Sequence, residues 1–268
     1  MAKPQRSKDL FKSIVSKKKH IMAKKLALVI GAQRSGKTVF CENSAVAFAR
    51  AGGCSVVYNA GMPTDYQNFI SVKVLTFSEV CRLHEKATGK KNEGKNQDEN
   101  VQFYQYKGKV YHLKNFCQMF SGKCVKIERI FSRDRSEAFF FDAVYRYFKN
   151  CFVIFDDCKT ILQRGLPPEM SGLVSRINHA GKDSEKGGAL GVDIALVFHG
   201  FKAVNPSLFN YCTDIVQFRT TFGPVVPRDC QEIQEVVFSN FLALKECAPY
   251  SKCLYNTNSN VSQLIKKT

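Results

Sequence analysis

Residues 25–38 of the chain, KLALVIGAQRSGKT, decide the fold class. The run KLALVI at 25–30 has the apolar character and length of a buried strand, and GAQRSGKT at 31–38 follows it directly. The next residues, TVFCENSAVAFARA, are typical of a helix that ends before Gly52, and CSVVYNAG at 54–61 predicts a second strand. Strand, glycine-rich turn, helix and strand form a βαβ unit, which requires a parallel sheet.

The octapeptide GAQRSGKT matches the phosphate-binding pattern G-x-x-x-x-G-K-[ST], the Walker A motif, at every fixed position. Its two glycines allow the loop to curl so that successive N–H groups face phosphate oxygens, and the following helix adds its positive N-terminal end. We expect Lys37 to reach the β- and γ-phosphates of ATP, and the Thr38 hydroxyl to bind Mg²⁺. A glycine-rich turn with a surface lysine is the alternative, but the flanking strand and helix favour a nucleotide site. The predicted nucleotide-binding residues are Gly31, Ala32, Gln33, Arg34, Ser35, Gly36, Lys37, Thr38 and Val39.

A second chemically informative stretch is CFVIFDDC at 151–158, a mostly apolar strand that ends in two acids. Ligands of a parallel sheet bind at the carboxyl ends of its strands, where Asp156 and Asp157 would lie. We assign Asp156 to the magnesium site and Asp157 to orienting and deprotonating the attacking water. The alternative is a pair of acids that cap the next helix.

The remaining pattern alternates strands and helices. It predicts an α/β fold of the P-loop NTPase type, with a mostly parallel central sheet flanked by helices and a basic, β-containing insertion. Within it we expect a basic tail at 1–24, an ATPase domain at 25–220 with an insertion at about 82–135, and a C-terminal helix–strand extension at 221–268. Further strands are predicted at 73–77, 192–200, 213–220 and 251–256, and a hairpin at 101–113. Three further helices are predicted: one at 136–150, one that starts after Pro167 and Pro168, and one at 231–247.

Strand-terminal acids of this kind occur in P-loop ATPases that have an added strand between the two nucleotide motifs. The next strand should then end in a polar sensor residue, and VDIALVFHG places His199 there. Within that class the chain resembles the FtsK/HerA superfamily, especially viral genome-packaging ATPases, and it is also similar to the Zot-like assembly ATPases of filamentous phages. The resemblance is carried by GAQRSGKT, VIFDDC, NHAG at 178–181, DIALVFHG at 193–200 and NPSLFNYCTDIVQFRT at 205–220.

This resemblance implies an ATP- and Mg²⁺-dependent motor that assembles as a homo-oligomeric ring and moves viral DNA into a capsid. It also implies contacts with capsid or virion-membrane proteins, and an arginine finger supplied by a neighbouring subunit. Arg176 is nearest to the family position, with Arg164 and Arg219 as alternatives. The other functions left open are a filamentous-phage-type assembly or extrusion ATPase and a low-turnover, nucleotide-dependent scaffold.

Three positions depart from the family pattern. Asp157 stands where relatives usually have Glu, and His199 stands where Gln or Asn is common. Asn178-His179 replaces a frequent Arg-His pair. Because the Asp157 side chain is one methylene shorter than Glu, slow hydrolysis is one expected consequence.

The charge of the chain is concentrated in two segments. Forty Lys and Arg face 23 Asp and Glu, which gives a net charge of +17. Residues 1–25 carry nine basic residues and one acid, and residues 82–135 carry thirteen basic and six acidic residues. We expect these segments to bind a phosphate-bearing polymer, DNA first and an anionic membrane second. For the tail at 1–24, the alternative to polymer binding is a role in keeping the protein soluble. Aromatic residues of the hairpin either stack on single-stranded bases or form its core, namely Phe103, Tyr104, Tyr106 and Tyr111.

Composition and cysteine usage predict an intracellular chain. The 44% hydrophobic and 24% charged fractions exclude wholesale disorder, a collagen-like repeat and a small disulfide scaffold. The eleven cysteines include no CxxC pair, and the spacing of His112, Cys117 and Cys124 matches no standard zinc site, so we expect free thiols. The N-terminus lacks a secretory h-region, and no apolar stretch approaches the ~20 residues of a membrane helix. The host cytoplasm and the virion are therefore the expected locations.

Overall fold

The computed structural model describes residues 25–59, 66–89, 101–127, 136–157, 168–175 and 191–267. Its strands are β1 (Leu26–Ile30), β2 (Cys54–Asn59), β3 (Ile70–Thr76), β4 (Val101–Tyr106), β5 (Lys109–His112), β6 (Cys124–Ile127), β7 (Cys151–Asp156), β8 (Val192–Phe198), β9 (Asp214–Phe218), β10 (Lys252–Asn256) and β11 (Val261–Ile265). Its helices are α1 (Lys37–Arg50), α2 (Phe77–Thr88), α3 (Phe116–Met119), α4 (Ser136–Tyr147), α5 (Pro168–Ser175) and α6 (Gln231–Lys245).

The strands form a single eleven-stranded sheet in the order β11-β10-β9-β1-β8-β7-β2-β6-β3-β4-β5. From β9 through β3 every neighbouring pair is parallel, whereas β10 and β11 at one edge and β4 and β5 at the other are antiparallel. The predicted α/β fold with a mostly parallel, helix-flanked sheet is therefore confirmed.

Strand β8 lies between β1, which precedes the glycine-rich loop, and β7, which ends in the acids. It is parallel to both, with Ile30 opposite Phe198 and Phe155 opposite Leu196. Since parallel strands end at the same edge, the loop after β1, the acids after β7 and His199 after β8 meet at one side of the sheet.

Helices cover the two faces of the sheet unequally. On one face, α1 presents Cys41 and Ala45 at helical spacing to Val29, Ile154 and Ala195. The opposite face carries the larger apolar core, against which α4, α5 and α6 pack. The helical residues of that core include Phe140, Phe141, Val144, Met170, Leu173, Val174 and Val237. This burial on both faces explains why the central strands are nearly continuous apolar runs.

Four elements were not predicted from the sequence: α2, α3, β6 and β11. Helix α2 has a capping box in which Thr76 accepts from the N–H of Glu79 and the Glu79 carboxylate accepts from the N–H of Thr76, so TFSE at 76–79 was a usable signal. Strand β6 has four residues and follows a turn in which Gly122 has φ +72°, so Ser121-Gly122 was a usable signal for the turn but not for the strand. It pairs in parallel with β2 and β3, so part of the expected insertion at about 82–135 lies inside the main sheet.

The predicted hairpin is present as β4 and β5, joined by Lys107 and Gly108 at positive φ. Tyr104 is fully buried and packs against Tyr111, Phe116 and Phe120. This residue therefore belongs to the core of the hairpin and is inaccessible to a nucleic-acid base. Within the described ranges, no helix has the length and apolar character to cross a membrane.

Candidate nucleotide site

The glycine-rich loop is shaped by contacts that only small residues allow. Gly36 has φ +98°, and helix α1 begins directly after it without a side-chain cap on its first N–H groups. A Cβ on Gly31 would lie 2.5 Å from Cβ of Phe218 on β9. The N–H of Ala32 donates to the carbonyl of Arg219 at 2.9 Å, which fixes the loop against β9. The loop therefore directs uncapped helix N–H groups toward the carboxyl edge of the sheet.

Lys37 is held beneath this loop. Its Nζ donates to the carbonyl oxygens of Gly31 at 2.8 Å and Ala32 at 2.6 Å, and the residue is 6% exposed. Burial lowers the pKa of Lys37, an effect that the charges of Asp156 and Asp157 oppose. Within the described part of the chain, the hydrogen bonds of this buried ammonium go to carbonyl oxygens, and a phosphate in the loop would supply an anionic partner.

Asp156 is a buried carboxylate, 8% exposed, with two defined donors. The hydroxyl of Tyr66 donates to its Oδ2 at 3.0 Å, and the N–H of Asp157 donates to its Oδ1 at 2.9 Å. Tyr66 is itself buried and has φ +57°. Sequence reasoning missed Tyr66 because it belongs to no motif and lies 90 residues from Asp156 in the chain.

Asp157 and His199 are brought together by the adjacent ends of β7 and β8. Nε2 of His199 lies 3.5 Å from Oδ1 of Asp157, and both side chains are partly exposed. Asp157 has φ +53°, a conformation that is uncommon outside glycine and that recurs at functional sites. The two residues predicted as base and sensor are therefore neighbours, which their separation in the sequence did not guarantee.

The residues present fit a triphosphate and a divalent cation. Oγ of Ser35 in the loop is buried and, among the described residues, has no hydrogen-bond partner. A phosphate oxygen would satisfy it together with the helix N–H groups. The Thr38 hydroxyl and the Asp156 carboxylate offer oxygen ligands of the kind that Mg²⁺ prefers, and Thr38 follows Lys37 directly.

A pocket of about 220 Å³ adjoins the loop. Its walls combine the loop residues Ala32–Ser35 with Arg219 after β9 and Tyr250 after α6. Arg219, an alternative for the arginine finger, is thus exposed beside the loop of its own chain. Arg176 and Arg164 lie outside the described residues, as does Asn178-His179. Val39, the last predicted nucleotide residue, is 58% exposed on the first turn of α1.

Sheet order, loop and acids together define a P-loop NTPase fold. No protein-family model and no curated protein matches the chain. Solved structures match it, among them the genome packaging NTPase B204 from Sulfolobus turreted icosahedral virus 2. The complex of that protein with ATP-gammaS aligns with a TM-score of 0.55 and 12% identity, over 91% of this chain and 98% of that chain. The AMP complex gives a TM-score of 0.54 at 12% identity with the same coverage.

The DNA-packaging ATPase B204 from Sulfolobus Turreted Icosahedral Virus aligns with a TM-score of 0.53 and 13% identity, over 91% of this chain and 98% of that chain. The resemblance inferred from the sequence motifs is therefore matched by the fold along nearly the whole chain. At this identity the likeness concerns the fold, and the function has to be argued from the site.

Proposed function

We propose that this chain is an ATP-hydrolysing motor that moves viral DNA into a capsid. The observation that carries the proposal is the meeting, at one sheet edge, of the glycine-rich loop with Lys37, the paired acids Asp156 and Asp157, and His199. Similarity to B204, described as a genome packaging NTPase and a DNA-packaging ATPase, supports DNA as the substrate polymer.

Binding of ATP is assigned to the loop and to Lys37. Uncapped N–H groups and the Lys37 ammonium stabilise the negative charge of the β- and γ-phosphates, and the hydroxyl of Ser35 gains the partner that it lacks. Thr38 and Asp156 would hold Mg²⁺, which supplies charge neutralisation on the phosphates. Tyr66 keeps the Asp156 carboxylate oriented through its hydrogen bond.

Hydrolysis is assigned to Asp157 acting on water. Its carboxylate accepts the proton of the attacking water, and His199, 3.5 Å away, orients that carboxylate and senses the state of the γ-phosphate. An arginine from a neighbouring subunit, Arg176 in our assignment, completes the charge stabilisation in a homo-oligomeric ring. Arg219 is less suited to act in trans, because it lines a pocket beside the loop of its own chain.

DNA binding is assigned to the basic tail at 1–24 and to the segment around the hairpin. Lys107, Lys109 and Lys114 are exposed on and after β4 and β5, at the edge of the sheet, and Lys123 is exposed just before β6. Exposed lysines bind the phosphate backbone independently of base sequence, as a motor that moves along a whole genome requires. We place this activity in the host cytoplasm and at the virion, with capsid or virion-membrane proteins as partners.

A low-turnover, nucleotide-dependent scaffold is the second candidate function. It is favoured by Asp157, whose carboxylate reaches one methylene less far than the Glu that related motors usually have. A filamentous-phage-type assembly ATPase would use the same site and differ in its partners.

The test is ATP hydrolysis by the full chain, alone and with single- or double-stranded DNA, for wild type and for Lys37→Ala. We expect turnover that DNA stimulates and that Lys37→Ala abolishes. Lys266→Ala, which removes an exposed lysine just after β11, should retain both basal and DNA-stimulated turnover. Nucleotide binding without any turnover in the wild type would exclude a motor and favour the scaffold.

A further inference from the structure

Three cysteine side chains converge at the edge of the sheet opposite the nucleotide site. Cys54 and Cys151 are the first residues of β2 and β7, and the parallel register pairs them directly. Cys117 comes from α3, in the segment that connects β5 to β6. The Sγ atoms of the three residues all lie within 4.8 Å of one another.

The surroundings of these thiols differ from those of ordinary core cysteines. Cys54 and Cys151 are fully buried and Cys117 is half-buried, and all three are free. The N–H of Lys149 donates to Sγ of Cys117 at 3.4 Å, as backbone groups do to metal-bound thiolates. A cysteine that merely fills space needs neither a facing pair of thiols nor a backbone donor.

The distances between the three sulfur atoms are compatible with the binding of one shared cation. Metal–sulfur bonds of about 2.3 Å place three sulfurs around one ion roughly 4 Å apart, so rotations of the side chains suffice to close the set. Soft thiolate sulfur selects thiophilic d10 cations over Mg²⁺ or Ca²⁺. We propose that Cys54, Cys117 and Cys151 form a binding site for such a cation, Cu(I) or Zn(II). Each thiol that binds releases its proton to solvent.

Such an ion would act on stability and leave the chemistry of the nucleotide untouched. Cys151 and Asp156 are opposite ends of β7, about 16 Å apart at 3.3 Å per residue. The ion would connect the segment around α3 to the parallel sheet, because one ligand comes from the former and two from the latter. The proposal is independent of the proposed function.

A direct measurement of metal binding tests the proposed cation site. The full chain is reduced, equilibrated without oxygen with Zn(II) or with Cu(I), freed of loosely bound metal by a competing chelator, and analysed for metal per chain. We expect about one ion per chain for one of the two cations in wild type and in Cys247→Ser, which replaces another half-buried thiol. Cys117→Ser should lower the affinity at least tenfold. No retained metal in the wild type, or equal retention by Cys117→Ser, would overturn the proposal.

A second measurement does not depend on the folding of any variant. Wild-type chain is alkylated with and without the bound cation, and the modified cysteines are mapped by mass spectrometry. We expect the cation to protect Cys117 while Cys247 reacts at an unchanged rate. Protection of Cys247 alone, or of neither thiol, would place the ion elsewhere and contradict the assignment.

Discussion

The hydroxyl of Tyr66 donates a 3.0 Å hydrogen bond to Oδ2 of Asp156, and both side chains are buried at the carboxyl edge of the sheet. The bond joins the chain after β2 to the end of the adjacent strand β7. It fixes the orientation of the carboxylate that we assign to the magnesium site, so the loss of this bond should affect metal-dependent nucleotide binding before it affects folding.

Tyr66→Phe removes the hydroxyl and preserves the ring. We expect the Mg²⁺ concentration required for half-maximal hydrolysis to rise by about tenfold, as for other residues that orient a metal ligand. The measurement is a magnesium titration of ATP turnover. Tyr255→Phe, which deletes a 3.0 Å hydrogen bond to Asn260 in the C-terminal strands, is the matched control and should leave the titration unchanged.

Asp157 is the residue on which turnover depends in our mechanism. Asp157→Asn keeps the size of the side chain and removes its basicity, so hydrolysis should fall by at least a hundredfold with nucleotide affinity nearly unchanged. Asp157→Glu, which restores the common family residue, should retain or raise turnover. Single-turnover hydrolysis and nucleotide titration separate the two effects. Persistent turnover in Asp157→Asn would show that the base is a different group.

Gly31 is required by the close approach of the loop to β9. Gly31→Ala would place its Cβ 2.5 Å from Phe218 and 2.7 Å from Ser35 Oγ, so we expect it to destabilise the fold by about 2 kcal/mol and to weaken nucleotide binding. Gly172→Ala, in α5 where an added Cβ meets open space, should instead stabilise the fold by roughly 0.5–1 kcal/mol. Denaturant unfolding of both variants measures the difference. Equal effects would contradict the packing argument.

Lys107 and Lys109 flank the hairpin turn and are exposed. If they contact the DNA backbone, Lys107→Ala/Lys109→Ala should lower the salt dependence of DNA binding, with the slope of log affinity against log salt falling by about 0.9 per lost contact on duplex DNA. Basal hydrolysis should persist. The control Lys245→Ala/Lys266→Ala removes two exposed lysines elsewhere, and an identical slope change in both pairs would argue against a localised binding surface.

Asp193 makes stability depend on pH. Burial raises the pKa of Asp193 to about 6, an effect that Asp214 increases and that the Lys25 N–H and ammonium oppose. The folded state therefore holds this proton over a pH range in which the unfolded carboxyl, with a pKa of about 3.9, has lost it. The contribution of Asp193 to stability should fall between about pH 4 and pH 6, by on the order of 3 kcal/mol.

Asp193→Asn removes this titration and retains an oxygen that accepts from the Lys25 N–H. Relative to wild type, the variant should become progressively more stable as the pH rises from 4 to 7. Thermal unfolding of both proteins across that range measures the difference. A difference that is constant with pH would refute the raised pKa.

The local sequence pattern was sufficient to predict most strands of the parallel part of the sheet. Strand β1, the glycine-rich loop and α1 follow from 25–50 alone, since buried strands are continuous apolar runs and the loop needs glycine at fixed positions. Helix α2 was missed although its capping box is visible in the sequence. Strand β6 has only four residues, and its pairing with β2 depends on residues far along the chain. Strand β11 pairs with the adjacent strand β10, but it is mostly exposed and carries no apolar alternation that would mark it as a strand.

The sequence by itself determined the P-loop NTPase fold and the candidate phosphate-binding residues, because glycine and lysine spacing within one loop is a local property. Only the tertiary structure decided which distant residues meet. The pairing of Tyr66 with Asp156, the contact of His199 with Asp157 and the convergence of three cysteines all depend on strand order and register. Strand order and register follow from the total apolar surface that is buried on both faces of the sheet, and no single segment encodes that total.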